Sequence, residues 1–383
     1  MNGQKTTVIR NSLNEDDLLL YLNMNPTILR TLESLRSSRH NAPQSSHLSN
    51  SISSLKVKQF GFGQSNPTYL IIATSHSVST INSFTYQFVL RKKPASISHK
   101  TAHNVAREFK ILSAIQQSNL AISHSSPKNR DFSIPIPHPI HLCTDPSVLG
   151  SDFYLMDFVE GRIFTNAAMP GMTPSDRYSA WCDAIRVLGN IHAFDWVNSP
   201  LNSRSTPTTP TPEVPPMVKS IFRLLSVYKA QSRVAEPRVI AVIDWELWQL
   251  NQDPLTDLAN LSMVHLFPNV LDIGSKIDMQ GLRGVDFPAL RIPTEPELLL
   301  LYSQINRTFA HSELLRWSGF YLSFLLFKNV VIAHGVKERI IKQVSSSSND
   351  TVEGGVGGMV ENVLEMCEKM LRERPPIVNN GKL

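Results

Sequence analysis

Apolar side chains recur at helical spacing from residue 14 to 38, at Leu18, Leu19, Leu22, Leu29, Leu32 and Leu35, so the chain opens on an amphipathic helix. A stretch rich in Ser, Asn and His, 37–54, follows and predicts a loose segment. The pattern then changes period. Three runs at 55–62, 67–74 and 84–91 are rich in β-branched and aromatic residues, with Gly and Asn between the first two, which predicts a β-meander. Residues 102–115 return to helical spacing, with Phe109, Leu112 and Ile115 on one face and Arg107, Glu108 and Lys110 beside it. A polar insert at 116–132 leads to two short strands at 140–143 and 153–158. From residue 174 helices dominate, at 175–194, 255–265, 295–308, 312–336 and 352–374, interrupted by one strand at 239–244.

A strand-rich first part with one embedded helix, followed by a helical second part, predicts an α+β fold of two lobes. Residues 1–54 form an N-terminal helix and loose Ser-rich segment in this reading. Residues 55–157 form an N-terminal lobe of antiparallel sheet plus one helix, and 158–383 a mainly helical C-terminal lobe. Within the latter, 199–216 holds 13 Ser, Thr or Pro in 18 positions, a composition that cannot bury enough surface to offset the cost of ordering, so a flexible insert is expected there.

Composition narrows the class. Of 383 residues 42% are hydrophobic and 18% charged, against roughly 25% charged in an ordinary domain, which excludes charge-driven disorder for the bulk of the chain. The best apolar run, 320–327, stops at Lys328, short of the roughly 20 residues that span a bilayer. The net charge of +5 is spread over scattered Lys and Arg with no basic run interleaved with aromatics, so no nucleic-acid partner is expected. Cys143, Cys182 and Cys367 lie far apart without metal-ligand spacing and read as isolated thiols. Glu15, Asp16 and Asp17 near the start, with no apolar stretch beside a basic one, are unlike a secretory or transit signal, which predicts an intracellular, cytoplasmic protein. The terminal Gly381-Lys382-Leu383 resembles the peroxisomal Ser-Lys-Leu with Gly in place of Ser.

Several segments carry chemistry. Gly61 and Gly63 sit in a turn between two strands, where backbone amides can approach phosphate oxygens, and Ser65 and Asn66 add side-chain donors. A strand then ends on the cation Arg91, and Glu108, seventeen residues later on the first-lobe helix, can pair with it. The segment 153–161 is a strand running into a Gly-terminated turn, with Met156 and Phe158 where an adenine ring can use exposed backbone groups. An apolar strand at 239–244 delivers Asp244 at its end, as a carboxylate is placed to hold Mg²⁺ against nucleotide phosphates. Asp253 then precedes a helix as an N-cap, with Asp257 in its first turn.

Taken together, Gly61–Thr68, Phe88–Pro94, Arg107-Glu108-Phe109, Tyr154–Arg162, Leu188–Asp195, Val239–Glu246 and Asp253–Ala259 resemble the aminoglycoside phosphotransferase/choline kinase family, and within it the kinase-like N-terminal domain of long fused acyl-CoA dehydrogenases. The resemblance covers most of 55–340. It implies a bilobal protein-kinase-like fold using ATP and Mg²⁺ to phosphorylate a small hydroxyl-bearing molecule, with a hydroxyacyl acceptor suggested by the subgroup. It also implies roles: Gly61, Gly63, Ser65 and Asn66 over the phosphates, Arg91 paired with Glu108 in place of the usual Lys, Met156 to Phe158 as the adenine hinge, and Asp244 on Mg²⁺.

One feature of the family is missing. A His-Gly-Asp-x4-Asn loop about twenty residues before the Mg²⁺ aspartate supplies the general base and a second metal ligand. Between Trp196 and Ile243 this chain has neither Asp nor His, and its only carboxylates there are Glu213 and Glu236. His192, Asp195 and Asn198 follow one another but with the wrong spacing, so no catalytic residue is assigned. Two explanations stay open: a non-catalytic, pseudokinase-type nucleotide-binding or interaction module, or a coding segment lost or replaced at 199–235.

Overall fold

A computed structural model describes residues 6–7, 13–40, 51–60, 66–76, 83–94, 104–125, 132–164, 166–196, 226–227, 237–245, 253–267, 269 and 281–341. The predicted glycine turn at 61–65, the insert 199–216, the helix 352–374 and the terminal tripeptide lie outside them. The chain divides into two compact units: Met1–Ala121 with Ile136–Glu160 and Asp244–Leu247, and Ile122–Pro135 with Gly161–Ile243 and Trp248–Leu383.

The first unit is built on a six-stranded antiparallel sheet. Its strands are β1 (Thr6–Thr7), β2 (Ile52–Phe60), β3 (Thr68–His76), β4 (Ser83–Lys92), β5 (Pro139–Cys143) and β6 (Phe153–Asp157), in the order β1-β2-β3-β4-β6-β5. Period-two alternation along β4 sorts its side chains. Tyr86, Phe88 and Leu90 join one buried cluster with Tyr69 and Ile71 of β3 and Phe153 and Leu155 of β6. Val89 and Arg91 point to the opposite face, and Arg91 is paired in register with Thr68 on one side and Tyr154 on the other.

Two helices, α1 (Glu15–Asn23) and α2 (Pro26–His40), cover the first face, where Leu18, Leu22, Ile28 and Leu32 enter the cluster. The expected single helix over 14–38 is thus broken. Pro26 lacks an N–H and starts a new helix, while Asn25 Nδ2 donates to the Tyr21 carbonyl at 2.6 Å and closes the old one. Both helices pack into the first unit's core. Helix α3 (Val105–Ser125) runs ten residues past its expected end, through positions that read as a polar insert.

The second unit is helical. Its long elements are α5 (Pro174–Ala193), α6 (Pro254–Ser262), α8 (Glu295–Ile305) and α9 (His311–Ile341), with short helices α4 (Pro146–Leu149) in the first unit and α7 (Phe287–Leu290) in the second. A two-residue ladder joins β7 (Arg162–Ile163) to β8 (Ser226–Val227). Trp181, Ile185 and Leu188 of α5 are fully buried, and Gly189 lets α8 approach so closely that a Cβ there would stand 2.5 Å from Ile305 Cγ2. Ala259 and Met263 pack on Leu322, Leu325 and Leu326 of α9. Asp253 caps α6 as expected, its Oδ1 accepting from the Leu255 N–H at 3.0 Å. The α+β architecture therefore stands as read from the pattern.

The strand expected at 239–244 does not form. Only Val239 makes a bridge, and its N–H donates to Asp183 Oδ2 at 2.6 Å, while the Val242 N–H donates to the Pro135 carbonyl at 2.7 Å. Two of the segment's donors, those of Val239 and Val242, thus go to a helix carboxylate and a loop carbonyl rather than to a neighbouring strand. Asp244–Leu247 group with the first unit.

Candidate functional site

The penultimate residue of β4 is the centre of the site. Arg91 is 9% exposed, on the sheet face opposite the α1–α2 core. Its Nη2 donates to Asp244 Oδ1 at 2.8 Å, and its Nε lies 2.9 Å from Glu108 Oε2. The second contact is ionic rather than a well-aligned hydrogen bond. Glu108, from the first turn of α3 and 1% exposed, turns its other oxygen to accept the Trp245 N–H at 3.1 Å. One buried cation thus faces two carboxylates. Tyr154, next to Arg91 across the ladder, has its hydroxyl pKa pushed far above the usual phenol range by burial first and then by the charge of Glu108.

Asp244 adopts φ 72°, in the left-handed region that a non-glycine residue occupies at a cost. The ion pair to Arg91 and the Trp245 N–H bond to Glu108 hold that conformation. Its Oδ2 has no partner among the described residues.

Sequence reasoning singled out nine residues, and the structure brings Arg91, Glu108 and Asp244 into direct contact. Asn66 is buried just before β3, where Pro67 O accepts the Lys92 N–H at 2.9 Å, so it lies beside the end of β4. Met156 is buried within β6 opposite Val89. Phe158 follows β6 and stacks on Phe60, ring centroids 6.4 Å apart and planes at 24°. Gly61, Gly63 and Ser65 lie outside the described residues.

Arg39, in the last turn of α2, was not legible in advance. Its Nη2 donates to the Phe158 carbonyl at 2.6 Å and its guanidinium ion-pairs with the Asp157 carboxylate. The Asp157 N–H is given to the His138 carbonyl at 2.8 Å. Two backbone groups of the expected adenine hinge are therefore already engaged. Burial raises the Asp157 pKa, with Arg39 and His138 opposing it.

In the second unit His192 is a structural group. Its Nδ1 is 2.7 Å from the Tyr302 hydroxyl and its Nε2 is 3.3 Å from Asp257 Oδ2, tying α5 to α6 and α8.

Magnesium is held in enzymes by one or two carboxylates together with substrate phosphates rather than by an all-protein cage. Among the described residues no cluster of three or more His, Cys, Asp or Glu is placed to hold a metal. The Asp244 carboxylate, with one oxygen on Arg91 and the other without a partner among the described residues, is of the donor type that holds an ion arriving on phosphates.

The sheet and helices form a kinase-like α+β architecture, and residues 56–214 match the model of the phosphotransferase enzyme family. The resemblance drawn from the motifs is thereby supported. Among proteins of known description, the chain is 28% identical over 359 residues to acyl-CoA dehydrogenase family member 11 of Mus musculus, covering 84% of this chain and 41% of that protein. It is 30% identical over 377 residues to probable acyl-CoA dehydrogenase IBR3 of Arabidopsis thaliana, covering 85% of this chain and 42% of that one. The chain thus spans about two-fifths of these relatives, 41% and 42%. A solved structure of a Ralstonia eutropha protein, named as an aminoglycoside phosphotransferase, superposes with a TM-score of 0.54 at 22% identity, covering 90% of this chain and 98% of that one. Among the described residues no helix is long and apolar enough to cross a membrane.

Proposed function

We propose that this chain binds ATP with Mg²⁺ in the manner of a small-molecule phosphotransferase, with a hydroxyl-bearing small molecule as acceptor. The observation that carries the reading is the buried Arg91 bridging Glu108 and Asp244. In this reading Glu108 orients the guanidinium through Nε and fixes the Trp245 backbone, Arg91 holds Asp244 in its left-handed conformation, and the Asp244 carboxylate would hold the metal. Bound Mg²⁺ would neutralise developing charge on the transferred phosphoryl group.

Transfer itself is slow in this proposal. The stretch 197–242 supplies neither Asp nor His to accept the acceptor's hydroxyl proton, and loss of a general base costs typically 10²- to 10⁴-fold. The chain is accordingly a nucleotide-binding module first and a kinase second. Thermal melting with ATP, with and without Mg²⁺, paired with ADP release over a panel of hydroxy acids and amino alcohols, tests both halves. The expected result is a Mg²⁺-dependent rise in Tm with ADP release near the uncatalysed level. Rapid acceptor-dependent ADP release would refute the slow-transfer half, and an unchanged Tm would refute the binding half.

A further inference from the structure

Arg39 is the penultimate residue of α2, which covers the sheet face opposite Arg91 and precedes the stretch matched by the family model, 56–214. Two neighbouring groups at the end of β6 converge on its guanidinium. Nη2 donates to the Phe158 carbonyl at 2.6 Å, and the same side chain ion-pairs with the Asp157 carboxylate. A planar guanidinium that spans a carboxylate and the next carbonyl fixes the orientation as well as the position of the peptide between them, which a point charge does not. Asp157 is held further by its pairing with Phe88 of β4 and by the bond from its N–H to the His138 carbonyl. Phe158 lies one residue beyond the last ladder pair, and Arg39 extends the restraint to it.

Phe158 in turn places an aromatic ring, which stacks on Phe60 with centroids 6.4 Å apart and planes at 24°. Phe60 ends β2 on the face of Arg91. Its predecessor Gln59 is in register with Tyr69, Tyr69 with Leu90 and Leu90 with Leu155, and the last three face the α1–α2 cluster, so the next residue along β2 points away from it. Because β2 and β4 both run antiparallel to β3, Phe60 and Arg91 fall in one row two strand spacings apart, about 10 Å. A ligand whose metal-bound phosphates rest at Asp244, itself bonded to Arg91, therefore has a pair of aromatic rings within reach on the same side of the sheet. Aromatic side chains hold nucleobases by stacking.

We propose that Arg39 is a positioning residue for the nucleobase: from the back of the sheet it sets the peptide between Asp157 and Phe158, and with it the Phe158 ring that receives the base, without touching the nucleotide itself. The proposal rests on the nucleotide reading above and divides the site in two. Asp244 serves the metal and the phosphates, whereas Arg39 acts through Phe158 on the base alone. Loss of Arg39 therefore weakens ligands that carry a base and spares those that do not.

The test compares ATP with inorganic tripolyphosphate, a phosphate chain of the same length without a base, each with Mg²⁺, by calorimetry on the full chain and on Arg39→Ala. ATP should bind Arg39→Ala at least about fivefold more weakly, since part of one base's stacking is lost. Tripolyphosphate affinity should change by less than about twofold, because the Arg39 side chain is 38% exposed and its charge is screened by salt. Unchanged ATP affinity would overturn the proposal and leave the nucleotide reading standing. Equal weakening of the two ligands would overturn it as well, because that marks a loss of charge or of fold rather than of base positioning. If the unaltered chain fails to bind tripolyphosphate, the phosphate site is refuted, and the nucleotide reading falls together with this proposal. Should Arg39→Ala fail to fold, Arg39→Lys keeps the charge but cannot span carboxylate and carbonyl, and the same comparison should show an ATP-specific loss of about threefold or more.

Discussion

Arg91 stands between two carboxylates that are 1% and 16% exposed at the side chain, and its own guanidinium side chain is 11% exposed. Removing one partner of a buried ion pair strands the other charge, which costs about 3–5 kcal/mol. Arg91→Ala should therefore lower the urea midpoint by that order, whereas Arg91→Lys, a point charge that cannot span both acids, should lower it less. Arg39 makes a subtler prediction. The folded-state pKa of Asp157 is raised chiefly by burial, so the native state holds that proton more tightly than the unfolded chain. Its favourable contribution is present below the unfolded carboxylate pKa and is lost as pH rises through the folded value. Arg39→Ala removes a charge that stabilises ionised Asp157, so its penalty should be larger at neutral pH than near pH ~4, where ordinary carboxylates begin to protonate. Equal penalties in urea melts at the two pH values would contradict this. Arg39 could not be read from the sequence, because 119 positions separate it from Phe158 and no spacing rule links a helix end to a distant strand end. Arg91 and Glu108 could, because a cation ending a strand and an acid opening the next helix are ordered by the topology itself.

Elements followed their periodicity where burial was one-sided. The meander β2–β4 and the helices α5, α6, α8 and α9 appear within a few residues of the pattern, since alternation and 3.6-residue spacing record directly which face is buried. The failures are local and physical. Pro26 broke a helix whose leucines kept their spacing across the break, and 239–243 looked like a strand because Val239, Ile240, Val242 and Ile243 are β-branched. What decides a strand is where its N–H groups go, and here those of Val239 and Val242 go to Asp183 and Pro135. Two substitutions test the helical unit. Gly189→Ala forces Ile305 to move from a 2.5 Å contact and should cost about 1–3 kcal/mol by thermal or urea unfolding. At the start of α8 Glu297 Oε2 accepts from both the N–H and the hydroxyl of Thr294, each at 2.8 Å, and the backbone bond is the larger cause of its lowered pKa. A lowered folded pKa gives stability that is present above the unfolded value and lost as pH falls through the folded one, so Glu297→Gln should flatten the acid limb of the stability curve.

At the level of the whole chain, the stretch that matches the phosphotransferase family model, 56–214, includes Arg91 on β4 and Glu108 on α3. A ligand that binds only the folded state stabilises it by about 2.7 kcal/mol at a hundredfold excess over Kd, enough to read as a clear rise in Tm. The most direct measurement is a calorimetric titration of the full chain with ATP in the presence of Mg²⁺, run beside Asp244→Asn. The account predicts saturable binding to the unaltered chain that requires Mg²⁺ and weakens at least tenfold in Asp244→Asn, about 1.4 kcal/mol of binding free energy. No heat at millimolar nucleotide, or equal affinity in the two proteins, would contradict it.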